Sequence, residues 1–239
     1  MKSQVQPTTT APQTNLRNVI LQGFFTFLIG AIVIGVLLCL IAGTFKYWQA
    51  WIFAIIFNLG TASQGIYLYI KDPALLERRK QVAPASESMG ERLFIIFGLI
   101  CVFGLIIFCA IDHRFGWSHM PIMVMIVGDI FVVLSYLIYY FVFMENSFAA
   151  SSIRTFEGQK VISTGPYSII RHPKYIGDVF LVAGITLSLG SWWGIIILAI
   201  TILGLLIRII DEEKLLLKDL PGYKEYMEKV RYRLFPYLW

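Results

Sequence analysis

The sequence predicts an all-α, polytopic integral membrane helical bundle, on three observations. Of the 239 residues, 57% are hydrophobic and only 15% charged, against about 25% charged in an ordinary soluble domain, and the mean hydropathy is +0.71. The apolar residues are gathered into long continuous runs. Membrane-spanning helices need such runs, whereas a membrane β-barrel shows ten-residue alternations. Eighteen of the twenty Lys and Arg residues fall on one face of the resulting zigzag, the asymmetry that orients spans in a bilayer.

Residues 1–17 are rich in Gln, Thr, Pro and Ala. They read as a disordered tail ahead of a retained helix, not as a cleaved signal. The first span is expected from about Val19 to Ala42 and the second from Tyr47 to Ile70, opening with Tyr47, Trp48 and Trp51 at an interface. So short a link makes the pair an antiparallel hairpin. Asn58, Ser63 and Gln64 are expected to hydrogen-bond neighbouring helices. In the polar stretch Lys71–Arg92, Asp72-Pro73 can start a short helix, and Leu75-Leu76 before Glu77-Arg78-Arg79-Lys80 suggests an interfacial amphipathic turn.

The third span is expected over Leu93–Ile111 and the fourth over Pro121–Met144, with His113 and His119 in the loop between them. Their spacing with Asp112 fits no regular metal-ligand face, and no metal site is expected. Asp129 lies inside the fourth span, where a carboxylate is costly; it is either functional or paired with His113 or His119. Lys174–Leu189 is a short apolar segment that either crosses fully or reaches half depth. Gly190-Ser191 breaks it, and Trp192–Ile210 returns, so the pair forms a tight C-terminal helical hairpin. Asp211–Trp239 reads as a charged amphipathic tail, with Tyr223, Tyr226 and Met227 on one face of a second short helix and the aromatic end Leu234–Trp239 as an interfacial anchor. Five to six transmembrane segments result. Three regions follow: the tail 1–17, a four-span bundle 18–144, and a region 145–239 of polar connection, helical hairpin and C-terminal amphipathic tail.

Both termini and the polar stretch Gly165–Asp178 are expected on the cytoplasmic side, because nearly all basic residues lie there. That clustering beside spans also accounts for the net charge of +5 without nucleic acid as a partner. Cys39, Cys101 and Cys109 sit inside apolar runs with no paired spacing, so no disulfide is expected. No internal repeat appears, which disfavours a two-fold transporter.

Two clusters carry the chemistry. The first is Gln159–Tyr175. The second is Arg208-Ile-Ile-Asp-Glu-Glu213, in which Arg208 and Glu212, four apart, share a helix face. The hairpin between the clusters goes up and comes back, so Lys174 and Arg208 lie at similar depth and can face one pocket.

Gly165-Pro166-Tyr167, Arg171-His172-Pro173-Lys174-Tyr175-Ile176-Gly177 and Arg208-x-x-x-Glu212-Glu213 closely resemble the isoprenylcysteine carboxyl methyltransferase family and the related phospholipid methyltransferases. The resemblance covers nearly the whole second half of the chain, and Asp72–Leu76 resembles prokaryotic members. It implies a membrane enzyme using S-adenosylmethionine. Gln159, Lys160, Val161, Ile162 and Tyr167 would line the cofactor cleft. His172, Pro173, Lys174 and Tyr175 would hold the cofactor's amino-acid and ribose portions. Glu212 would also contact it, and Arg208 would orient the acceptor's carboxylate, making Arg208, Glu212 and His172 the catalytic candidates. His172 or a backbone N–H would suit the cofactor's carboxylate. The partners implied are a lipophilic or prenylated acceptor entering from the bilayer, and membrane lipids. An amine acceptor, as in phospholipid N-methylation, is the alternative; His172 or Glu212 would then be a candidate base. The Arg171–Asp178 run also resembles nicotinamide-dependent membrane sterol reductases, and Asp178 points that way.

Overall fold

The computed structural model describes residues 16–80, 89–149 and 159–239. The expected tail lies outside them up to residue 15. Among the described residues all regular secondary structure is helical, with no strand. The hairpin α1 (Leu16–Ala42) and α2 (Trp48–Lys71) comes first, then the short α3 (Pro73–Lys80). Next come α4 (Met89–Phe115) and α5 (Ile122–Glu145), and a 3-10 turn at Gly165–Ser168. The hairpin α6 (Pro173–Ser188) and α7 (Gly194–Asp219) follows, with α8 (Tyr223–Lys229) closing the order. Among the described residues five helices, α1, α2, α4, α5 and α7, are long and apolar enough to cross a membrane.

α6 has 16 residues, about 24 Å of helix at 1.5 Å per residue, less than the roughly 30 Å of a hydrocarbon core. It nonetheless runs from the Arg171–His172 end to the opposite loops. Its C-cap Leu189 accepts the Tyr47 hydroxyl at 2.7 Å, and Ser191 just beyond donates to Asp112 at the end of α4. Gly190, at φ +77°, makes the turn. Asp112 is 1% exposed and also accepts from Ser118 at 2.7 Å, so one carboxylate at the end of α4 gathers the two loops that carry Ser118 and Ser191.

α6 packs most extensively on α5, and glycine makes that approach possible. A Cβ on Gly128 would collide with the Ser188 backbone, one on Gly184 would lie 2.8 Å from Val132, and one on Gly177 would lie 2.5 Å from the Tyr139 ring. Small residues at such contacts let membrane helices approach and gain van der Waals energy, since lipid offers no hydrophobic drive between them.

Several expectations are revised. α7 continues nine residues past Ile210, so Arg208, Glu212, Glu213 and Leu215–Leu217 share one helix rather than a helix and a tail. Hydropathy marks where the bilayer ends, and charged residues without Gly or Pro continue a helix equally well; Leu220-Pro221-Gly222 stops it. Of Asn58, Ser63 and Gln64, only Gln64 reaches a neighbouring helix, donating to the Tyr136 carbonyl at 3.1 Å. Asn58 and Ser63 bond their own helix at Ala54 and Gly60, the local option always open to such side chains. Asp129 pairs with neither histidine; it accepts from Ser188, and His113 stacks on Tyr47 instead. The C-terminal residues fold back, with the Arg233 and Leu234 amides bonding the Trp239 carbonyl; Leu234 is buried while Tyr237 and Leu238 project.

Replacing Gly184 by Val should cost about 1–3 kcal/mol through overpacking. It should lower the unfolding temperature in detergent, whereas Gly65→Ala, with open space at its Cβ, should not. Equal melting of the two variants would show that the α5–α6 approach is not tight.

Candidate active site

At the Arg171–His172 end, α4, α6, α7 and the chain before α6 enclose a cavity of about 480 Å³, within the roughly 300–1,000 Å³ usual for small-molecule sites. The residues expected from the sequence reach it from four parts of the chain. Gln159, Lys160, Val161 and Ile162 form one strip, and Tyr167 follows from the 3-10 turn. His172, Pro173, Lys174 and Tyr175 open α6. Arg208 and Glu212, one turn apart, face in from α7. All eleven site residues expected from the sequence therefore line one space.

Local rules place each group. Gly165 takes φ +55°, and a Cβ there would lie 2.6 Å from Glu145 Cγ, so the turn needs glycine. Pro166 sits at the start of the turn and Pro173 at the start of α6, where a missing N–H leaves nothing unpaired. The Tyr167 hydroxyl accepts from the Asn146 amide at 3.0 Å, and its carbonyl accepts from the Tyr226 hydroxyl at 2.7 Å. Burial pushes the Tyr167 phenol upward, only partly opposed by Asn146, so it stays neutral.

Beneath the cavity lies the buried carboxylate of Glu213. Arg171 Nε donates to one oxygen at 2.7 Å and Arg233 Nε to the other at 2.8 Å. His172 Nε2 lies 3.3 Å from the first oxygen. Arg171 Nη1 also donates to the carbonyls of Val230 and Arg231, at 2.8 and 2.9 Å. The backbone amides of Arg171 and His172 pair with the carbonyls of Tyr232 and Arg233. The start of α6, the middle of α7 and the C-terminal segment are thus fastened at one point.

The cavity-facing groups are arranged around Tyr175. Its hydroxyl donates to Glu212 Oε2 at 2.6 Å. The His172 ring stacks beside it at 5.7 Å, with Nδ1 3.8 Å from the same Glu212 oxygen. Arg208 is 6% exposed, with its guanidinium over the Phe94 ring at 4.6 Å. Lys174 donates to Asp178 at 2.8 Å, and Asp178 also receives the Tyr139 hydroxyl at 2.6 Å. The His172 ring is therefore held between two carboxylates, an arrangement ill suited to receiving an anion. Lys174 is already neutralised on its own helix, and Asp129 lies outside the cavity.

Sequence reasoning gave roles to Glu212 and His172 but none to their neighbours Glu213 and Arg171, which it placed in the same clusters and which hold the site together. Adjacent residues of like chemistry differ only in which way the helix turns them. Phe94 gave no signal, being one of many aromatics in an apolar run. Arg79 came only as part of a basic stretch in a loop, yet it lines the same cavity.

Residues 121–221 match the family model for phospholipid methyltransferase. The matched stretch is similar to that family, which falls within the isoprenylcysteine and phospholipid methyltransferase group. The family indicates a methyltransferase, and the five apolar helices indicate a multi-pass membrane protein. No curated protein matches the chain. The matched methyltransferase region holds every expected site residue, from Gln159 to Glu212, whereas Phe94 and Arg79 reach the cavity from outside it.

Removing one partner from a buried charge cluster costs about 3–5 kcal/mol, because the remaining charges are left uncompensated. Glu213→Ala should therefore lower the unfolding temperature and make the segment after Pro221 susceptible to limited proteolysis, while Glu228→Ala, an exposed position, should do neither. Identical melting and cleavage for both variants would remove Glu213 from this structural role.

Proposed function

We propose that the protein is an S-adenosylmethionine-dependent methyltransferase whose acceptor is a carboxylate on a lipophilic, prenylcysteine-like molecule. The observation that carries this reading is the pairing of Arg208 and Glu212 on one wall of the cavity, with the Tyr175 hydroxyl bound to Glu212. A carboxylate and a buried guanidinium one turn apart suit two ligands of opposite demand.

The residues fit the cofactor. Glu212 suits its ammonium or ribose hydroxyls, and the Tyr167 and Tyr175 rings suit the adenine face or the sulfonium cation. When bound, S-adenosylmethionine supplies a methyl group on sulfonium sulfur; a carboxylate oxygen forms the new O–C bond as the S–C bond breaks, and no proton is transferred. No general base is then required of the chain, and positioning is the main task. Arg208 suits that task, since a planar guanidinium can clamp a carboxylate through two parallel hydrogen bonds. Its cation also disfavours an amine acceptor, which would have to approach protonated or lose a proton. Phe94, Phe97 and Leu205 give the cavity an apolar wall between α4 and α7, consistent with an acceptor entering sideways from lipid. The bias of basic residues toward the cavity end supports a cytoplasmic site.

In detergent, the protein should bind S-adenosylhomocysteine saturably by calorimetry, and Glu212→Ala should lose that binding. Arg208→Ala should retain binding but turn over a prenylcysteine acceptor at least ~100-fold more slowly, the order expected for loss of a charge-stabilising donor. Absent binding in folded wild-type protein would overturn the cofactor assignment; undiminished turnover in Arg208→Ala would remove Arg208 from acceptor recognition.

A further inference from the structure

We propose that Arg79, reaching into the cavity from α3, anchors the carboxylate of the cofactor's amino-acid arm. The inference rests on the S-adenosylmethionine reading above and adds a residue from outside the matched family region.

α3 is built to deliver this side chain. Asp72 caps it, its Oδ1 accepting the Leu75 amide at 2.9 Å. Leu75 is fully buried against Leu68, Tyr139, Val142 and Phe143. Arg79 lies four residues on, hence on the same face, and so turns inward rather than to the surface. Its guanidinium stacks over the Phe143 ring at 4.5 Å, and Nη1 donates to the Ala149 carbonyl at 3.1 Å. Arg78 braces the same stretch of chain through the Ser147 carbonyl at 2.6 Å. A side chain fixed at two points loses little further freedom on binding.

Elimination singles out Arg79 among the cavity's cations. The cofactor has one anionic group, and a carboxylate in a partly dry site needs a cation. Arg171 is committed to Glu213 and two carbonyls, and Lys174 to Asp178. His172 lies between Glu213 and Glu212. Arg208 rests on Phe94 and, in the reading above, serves the acceptor. Lys160 is exposed. Arg79 has no carboxylate within ion-pair distance among the described residues. The one it faces, Asp178, has its two oxygens engaged by Tyr139 and Lys174. Burial lowers the Arg79 pKa, with Tyr139 and Asp178 opposing; a guanidinium remains charged regardless. A half-buried, braced guanidinium on the cavity wall is a receptor for a planar anion.

The test uses two probes: S-adenosylhomocysteine, and the same thioether with the carboxylate removed from its amino-acid arm. Both are titrated calorimetrically into wild-type protein, Arg79→Met and Arg79→Lys. Wild type should bind S-adenosylhomocysteine at least about tenfold more tightly than Arg79→Met does, the scale of a lost charge-assisted hydrogen bond. The decarboxylated probe should bind both equally, and Arg79→Lys should recover part of the difference. Equal weakening of both probes would reduce Arg79 to a brace for the chain at Ala149, and no change in either would exclude it from the site; both results overturn the inference while the cofactor reading stands. If wild type binds neither probe, the cofactor reading itself falls and the inference falls with it.

Discussion

The buried Glu213 carboxylate is the constraint on which the site depends. In isolation it would be among the most costly groups in the protein, since a lone charge away from water is strongly disfavoured. With Arg171 and Arg233 each donating to a different oxygen, and His172 alongside, it becomes a fastener. Three chain segments meet there that have no other reason to share a point. One is the entry to α6, one the polar end of α7, and one the segment after α8. The last is held by backbone pairing as well, through the amides of Arg171 and His172. Because the ion cluster lies directly beneath the cavity, the same bonds that close the fold set the depth and angle of His172, Tyr175 and Glu212.

The opposite end of the bundle shows the same logic with another carboxylate. Asp112 gathers Ser118 and Ser191, and Tyr47 caps the end of α6. Between these two polar knots the helices meet through small residues and apolar side chains, with Gly128, Gly177 and Gly184 letting α6 lie close on α5. α6 is shorter than an independent span requires, and it is held from both ends and along one face. That rigidity would suit the proposed methyl transfer to a carboxylate, in which no general base is required and rate comes from positioning.

The cavity combines two demands that rarely coincide. It is polar and charged near Tyr175, Glu212 and Lys174, and apolar along α4 and α7. A charged, water-soluble cofactor and a lipophilic acceptor can meet only at such a boundary. The two guanidiniums, Arg208 over Phe94 and Arg79 over Phe143, each rest on an aromatic face that helps tolerate a cation away from bulk water.

The sequence by itself determined the order of the apolar helices, though it left the number of spans at five to six, and the eleven residues that come to line one cavity. These are legible because each follows from a local rule. Apolar runs specify spans, Pro and Gly specify turns, and Arg208 and Glu212 share a face by helical period. The tertiary structure alone decided which of two like neighbours faces in, so that Glu212 lines the cavity while Glu213 closes the fold beneath it. It decided that α7 outlasts its hydrophobic stretch, because helix continuation answers to backbone propensity and not to hydropathy. It also turned Asp129 to Ser188 rather than to a histidine, and brought Arg79 and Phe94 to the site from segments whose composition gave no hint. Those outcomes depend on rotation about a helix axis and on contacts distant in sequence, and no window along the chain contains that information.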